Sequence, residues 1–205
     1  MPGKRAITEA DVREAARAGR TLDLPAGAVV TPAARDLAGA LGVALRDAVG
    51  TDARTRGGTV AIGADHGGFP LKEQLKSVIA ESGYQVLDLG TSDVQAVDYP
   101  DFAVAVARAV AEGRAWRGIM IDGAGIGSAM AANKVAGVRA ALCHDITTAQ
   151  NAREHNDANV LTLGGTLIGT RLAVDIVRTF LSAAFGGGRH AKRVEKINAL
   201  DAGRG

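Results

Sequence analysis

The apolar run Ile119-Met120-Ile121 ends on a carboxylate, Asp122, and the residues that follow place glycine at 123, 125 and 127. Alternate glycines let consecutive backbone N–H groups converge on one anion, because no Cβ blocks the approach. A carboxylate beside such a nest suits proton abstraction next to a carbonyl, which needs a base for the proton and donors for the oxyanion left behind. Two other readings fit the loop taken alone. Gly-rich strand-to-helix turns also serve tight packing, and a Gly-x-Gly-x-Gly run shares part of the dinucleotide fingerprint but lacks its third glycine.

Other polar residues could join this chemistry. Asp65 and His66 follow the apolar run Thr59–Gly63, and Tyr99 stands between Asp98 and Pro100. His155 and Asn156 sit in Glu154-His-Asn-Asp157 at the end of a helical pattern. Arg189 and Arg193 are one helical turn apart, so on a helix they share a face and can grip a phosphate together. Each has a plainer reading: a helix-end cap for His155, a packing aromatic for Tyr99, solvated charges for the arginines.

The elements that must position these residues alternate regularly. Strand candidates are Thr59–Gly63, Tyr84–Asp88, Gly118–Asp122, Arg139–Cys143 and Asn159–Leu163, with Arg139 reaching outward at the start of the fourth. Helical patterns lie between and after them, at 70–82, 99–112, 126–134, 147–154 and 169–184. Short continuous apolar strands separated by helices predict a parallel sheet covered on both faces. Right-handed crossovers make it a doubly wound, Rossmann-like α/β domain of five strands, with Asp122 and Asp65 at carboxyl strand ends, where such sheets bind ligands. The segment 189–200 reads as an exposed basic helix whose stripe of Val194, Ile197 and Leu200 suits a partner surface.

Taken in order, Asp65-His-Gly-Gly68, Asp98-Tyr-Pro100, Asp122–Ser128 with Ala132-Asn-Lys134, Glu154-His-Asn-Asp157 and Gly187-Gly-Arg-His-Ala-Lys-Arg193 closely resemble the ribose-5-phosphate isomerase B family, which also includes the galactose-6-phosphate isomerase subunits. The resemblance covers about residues 59–201. It implies an aldose–ketose isomerase of phosphorylated sugars, working through an enediolate with no metal or cofactor. It implies Asp122 as the base, although family members usually carry a thiolate there, or in another branch a glutamate at the position of Ser128. Gly123, Ala124, Gly125, Ile126 and Gly127 become the enediolate nest, and His155 the ring-opening acid/base. Asn156 orients sugar hydroxyls, Asp65 binds them, and His66 holds the phosphate or ring oxygen. Tyr99 lines the pocket, and Arg189 and Arg193 hold the phosphate, reaching from the tail into a neighbouring subunit of a homo-oligomer. Ala124 and Thr166 depart from the family, which often has a hydroxyl residue and an arginine there. The alternative is a catalytically altered homologue with a binding or structural role.

Residues 1–45 lie outside that pattern. A first helix starts near Thr8, and a second starts with Thr31 as N-cap and Pro32 at its first position. Leu37, Leu41 and Leu45 form one thin stripe, and two such helices are expected to dock on something rather than bury a core of their own. The stretch Ile7-Thr-Glu to Thr31-Pro-Ala-Ala-Arg-Asp36 resembles the short extensions of bacterial microcompartment enzymes, which implies docking to a shell or its cargo. A polar linker is expected over 46–58. Composition bounds the rest. With 24 basic and 22 acidic residues in 205, nothing points to nucleic acid, and one cysteine, Cys143, is read as a small buried residue of a cytoplasmic protein. The amino terminus lacks the apolar stretch of a secretory signal, and no run is long enough to span a bilayer.

Overall fold

The computed structural model describes residues 6–17, 19, 21–24, 29–43, 45–47 and 58–203. The expected linker falls almost wholly at 48–57, outside the described residues. Two units divide at Thr55–Arg56.

In the first unit, β1 (Ala6–Ile7), α1 (Glu9–Arg17) and β2 (Leu22–Leu24) are followed by β3 (Val29–Val30), α2 (Pro32–Leu41) and β4 (Leu45–Asp47). β1 pairs with β3 and β2 with β4, both parallel, and every partner lies 23 positions further along: Ala6 with Val29, Ile7 with Val30, Leu22 with Leu45. The same step relates the caps. Thr8 donates its N–H and hydroxyl to Asp11 Oδ2, both at 2.8 Å, while the Thr31 hydroxyl oxygen accepts the Ala34 N–H at 3.2 Å. After each helix comes a glycine in the left-handed region, Gly19 at φ 59° and Gly42 at φ 63°. The unit is thus a doubled β-α-β module. Val12, Ala15, Ala34, Ala38 and Val43 form a small core of its own, which corrects the expectation that these helices bury none. The reason is the strands: four pieces of two or three residues supply a second layer. Leu45 belongs to β4, and Leu41 is exposed, so the expected leucine stripe is not one helix face.

The second unit matches the alternation read from the sequence, with boundaries moved by a residue or two. It runs β5 (Thr59–Ala64), α3 (Phe69–Glu81), β6 (Gln85–Asp88), α4 (Tyr99–Ala111), β7 (Arg117–Asp122), α5 (Ile126–Ala132), β8 (Ala140–Leu142), α6 (Ile146–Asn156), β9 (Val160–Gly164), α7 (Thr170–Ser182) and α8 (Ala191–Ala199). Its five strands are all parallel, in the order β6-β5-β7-β9-β8. Strand alternation sends Val60 and Ile62 to one face, against Leu75 and Ile79 of α3 and Ile176 and Phe180 of α7. Ala61 faces the other way, onto Val106 and Ala107 of α4, with Ala132 of α5 in the same cluster. Small side chains on this second face bring the helices close: a Cβ on Gly118 would meet Val106 Cγ1 at 2.6 Å. The order of winding reverses between β5 and β7, and the crevice opened at their carboxyl ends is the place where such sheets bind ligands.

Arg139 departs from expectation. Rather than reaching outward, its guanidinium folds onto the end of α6, donating to the Asp157 carbonyl at 2.8 Å and to Asn198 Oδ1 at 3.0 Å. Cys143 is 1% exposed, as its sequence context suggested.

Candidate active site

The loop after β7 is organised by Asp122. The residue is 4% exposed, and both carboxylate oxygens are engaged by the turn that follows. Oδ1 accepts the N–H groups of Ala124, at 2.9 Å, and Gly125; Oδ2 accepts the Ser128 N–H at 3.1 Å and its hydroxyl at 2.5 Å. The cause is local. The first turn of α5 leaves backbone donors without helical partners, and an anion just before a helix start satisfies them and suits its dipole. Two N–H groups of the anticipated nest are therefore filled by the chain's own carboxylate.

The outer side of the loop is pinned by β9. The buried Thr162 hydroxyl donates to the Gly125 carbonyl at 2.9 Å, and the Thr166 hydroxyl to the Gly123 carbonyl at 2.6 Å. The Gly165 N–H donates to the Asp122 carbonyl at 2.7 Å. Thr166 thus has a use different from that of an arginine, clamping the glycine loop from the neighbouring strand end.

Asp65 stands across the crevice at the end of β5. It is 6% exposed; its N–H donates to the Ile121 carbonyl at 3.2 Å, and its Oδ1 accepts the Gly68 N–H at 2.9 Å. His66 is exposed, with Nδ1 accepting the Val97 N–H at 3.2 Å. Tyr99 begins α4 and lays its ring directly on Gly127, where any Cβ would collide with it. Asp65, His66, Tyr99 and the segment Asp122–Gly127, with Ile126 exposed at the start of α5, are therefore gathered at one edge.

The remaining predicted residues form a second group. His155, in the last turn of α6, stacks on His190 with ring centroids 4.2 Å apart and planes at 5°. The Asn151 side-chain nitrogen lies 2.9 Å from His155 Nδ1, and Asn156 beside it is exposed. Arg189 and Arg193 are exposed and flank the stack, although Arg189 belongs to a 3-10 turn (Gly188–His190) and not to α8. The His190 pKa lies below the ordinary histidine value, because water is displaced from its ring and His155, Arg189 and Arg193 add positive charge. This group is a cationic, stacked surface suited to an anion. Among the described residues, no hydrogen bond, ion pair or ring contact joins it to the Asp65–Asp122 group. No cluster of three or more His, Cys, Asp or Glu residues among those described could hold a metal ion.

Two participants escaped the sequence reading. Ser128 is fully buried and bonds Asp122 twice, and His190 stacks on His155. An S/T residue six positions after an acid, at a helix start, is the available signal for the first. For the second, the signal is a histidine between two arginines.

The family model described as Ribose/Galactose Isomerase matches residues 60–197. Ribose-5-phosphate isomerase B of Escherichia coli (strain K12) is 46% identical over 142 residues, which are 69% of this chain and 95% of that protein. D-erythrulose-4-phosphate isomerase of Pectobacterium atrosepticum is 42% identical over 140 residues, covering 68% of this chain and 92% of its own length. Among solved structures, ribose-5-phosphate isomerase B of Clostridium thermocellum superposes with a TM-score of 0.70 at 49% identity, covering 72% of this chain and 99% of that one.

Proposed function

The chain belongs to the ribose/galactose isomerase family, and from that premise we propose that it interconverts the aldose and ketose forms of a phosphorylated sugar, ribose 5-phosphate and ribulose 5-phosphate or a close relative. The observation that carries this reading is the pair of buried carboxylates, Asp65 and Asp122, facing the glycine loop where the winding of the sheet reverses. A carboxylate is able to do what a thiolate does at this step: take the proton from the carbon beside the carbonyl and return it to the neighbouring carbon. Backbone N–H groups of the loop support the enediolate oxygen. His155 opens the sugar ring, Asn156 orients hydroxyls, and Arg189 and Arg193 bind the phosphate as paired cations.

The two groups act together when the tail of one subunit serves the loop of another, so the working form is read as a homo-oligomer. The exposed Ile197 and Leu200 of the tail support that reading. Residues 1–45 are proposed, on their sequence resemblance, as a docking segment for a microcompartment shell or cargo protein. A fluorescent protein carrying them should concentrate at a shell in a cell that makes one.

The second reading, a catalytically altered homologue, draws on the four hydrogen bonds that occupy Asp122. Proton NMR of the purified protein with a panel of tetrose, pentose and hexose phosphates separates the two. Isomerisation of at least one member supports the enzyme, and binding without conversion of any supports the altered homologue.

A further inference from the structure

A carboxylate that removes a carbon-bound proton needs an oxygen lone pair directed at the substrate. Asp122 accepts four hydrogen bonds, two on each oxygen, from the loop that follows it and from Ser128 in the first turn of α5. Two oxygens offer about four lone-pair sites, so this carboxylate is saturated, and taking a proton would break a bond that holds the start of α5. Asp65 is different. It is anchored by one oxygen only, through the Gly68 N–H, and no described residue donates to its Oδ2. Beside it, the Gly123 N–H donates to no described acceptor. The two flank one gap: a point built at the missing Cβ of Gly67 lies 3.4 Å from Asp65 Oδ1 and 3.6 Å from the Gly123 nitrogen. The Asp65 carboxylate, anchored through Oδ1 and with Oδ2 accepting from no described donor, and the Gly123 amide nitrogen thus stand close to one point at the carboxyl ends of adjacent strands.

We infer that Asp65, not Asp122, is the general base, and that Asp122 is a positioning residue that fills part of the nest and fixes Gly123. The inference rests on the isomerase reading. Asp65 Oδ2 takes the C2 proton of the open-chain aldose. The electron pair of the broken C2–H bond becomes the C1=C2 double bond, and the C1 carbonyl electrons move onto O1, which the Gly123 N–H receives. A proton passes from O2 to O1, the C2 carbonyl forms, and the Asp65 carboxyl returns its proton to C1. Nothing is gained or lost overall, so no oxidant or cofactor enters the balance.

The test is deuterium incorporation from D2O into ribose 5-phosphate and ribulose 5-phosphate, followed by NMR. Asp65→Asn should lower exchange by about a hundredfold or more, the usual worth of a positioned base. Its affinity for the sugar phosphate should stay close to wild type. Asp122→Asn, which loosens the loop that holds Gly123 but leaves the base in place, should lower exchange by less than Asp65→Asn does. Because that variant disturbs the cap of α5, Ser128→Ala is the companion. It strips one donor from Asp122 without touching Asp65, so the acid limb of the kcat/KM–pH profile should not move. Asp65→Asn that still exchanges, Asp122→Asn that folds and binds but does not exchange, or an acid limb that moves in Ser128→Ala would each overturn the assignment. Wild type that exchanges neither these two phosphates nor any member of the panel overturns the isomerase reading itself.

Discussion

Replacing Arg117 with methionine should make the protein more stable. Arg117 opens β7, the strand that ends in Asp122, and is 7% exposed. Its Nε has no partner, and its Nη1 donates to the Ala158 carbonyl at 3.2 Å. Burial, and then the nearby charge of Arg153, push its pKa down from the ordinary guanidinium range to about 9. At about 1.4 kcal/mol per pKa unit, holding this charge in the folded state costs on the order of 4–5 kcal/mol at neutral pH, as an upper bound. Two losses offset the gain from removing it. The hydrogen bond contributes about 1 kcal/mol, and its carbonyl keeps the Arg153 Nη1 bond at 2.6 Å. The guanidinium stacked 4.2 Å from the Trp116 ring centroid contributes about 1–2 kcal/mol. Methionine retains the apolar stem, so a net stabilisation of about 1–2 kcal/mol is expected, in line with other buried charges replaced by apolar residues. Thermal and urea unfolding at pH 7 measure it, with a Tm rise of roughly 2–4 °C per kcal/mol at this chain length. The pH dependence identifies the cause. Below pH 9 the wild type bears the whole burden; as pH rises through the folded value, the folded form releases its proton first and wild type gains stability that the variant cannot gain. The gap between the two should narrow from about pH 9 upward. A variant less stable than wild type, or a gap that stays constant with pH, would refute the reasoning.

Ser128→Ala should lower stability by about 1.5–3 kcal/mol, the worth of a hydrogen bond to a charged group, read by urea unfolding. Gly127→Ala drives a methyl group into the Tyr99 ring, so the ring must leave its seat; unfolding should move only modestly while KM for the sugar phosphate rises. Gly67→Ala has ordinary contact distances around its methyl group and should fold normally, yet it fills the gap between Asp65 and Gly123, so activity should fall several-fold in a steady-state assay. Cys143, whose pKa burial raises to about 11, should resist iodoacetamide at pH 7 in the folded protein and react once urea unfolds it.

The alternation of apolar runs and helical patterns made the second unit legible, because each strand has a short apolar centre and most of the helices are long enough to show their period. Motif order also placed Asp65, His66, Tyr99 and the glycine loop on one edge. What the pattern does not carry is the direction in which a side chain turns. Whether Asp122 faces the crevice or its own loop depends on the tight turn into α5, and the sequence has no symbol for that. His190 was overlooked for a related reason: between two arginines it read as part of a charged stretch, and only the close approach of α6 makes it a stacking partner. In the first unit, strands of two or three residues fall below any detectable period, so a doubled module read as two bare helices.

That doubling constrains how the segment can change length. Each strand of one module pairs with its counterpart a constant 23 positions along the chain, and the two helices share one core. An insertion between the modules would have to be absorbed as slack to keep these registers, and loss of one module would leave the other with no neighbour to cover Val12 and Ala15 or Ala34 and Ala38. The two modules should therefore be kept or lost together, like the two halves of a clasp.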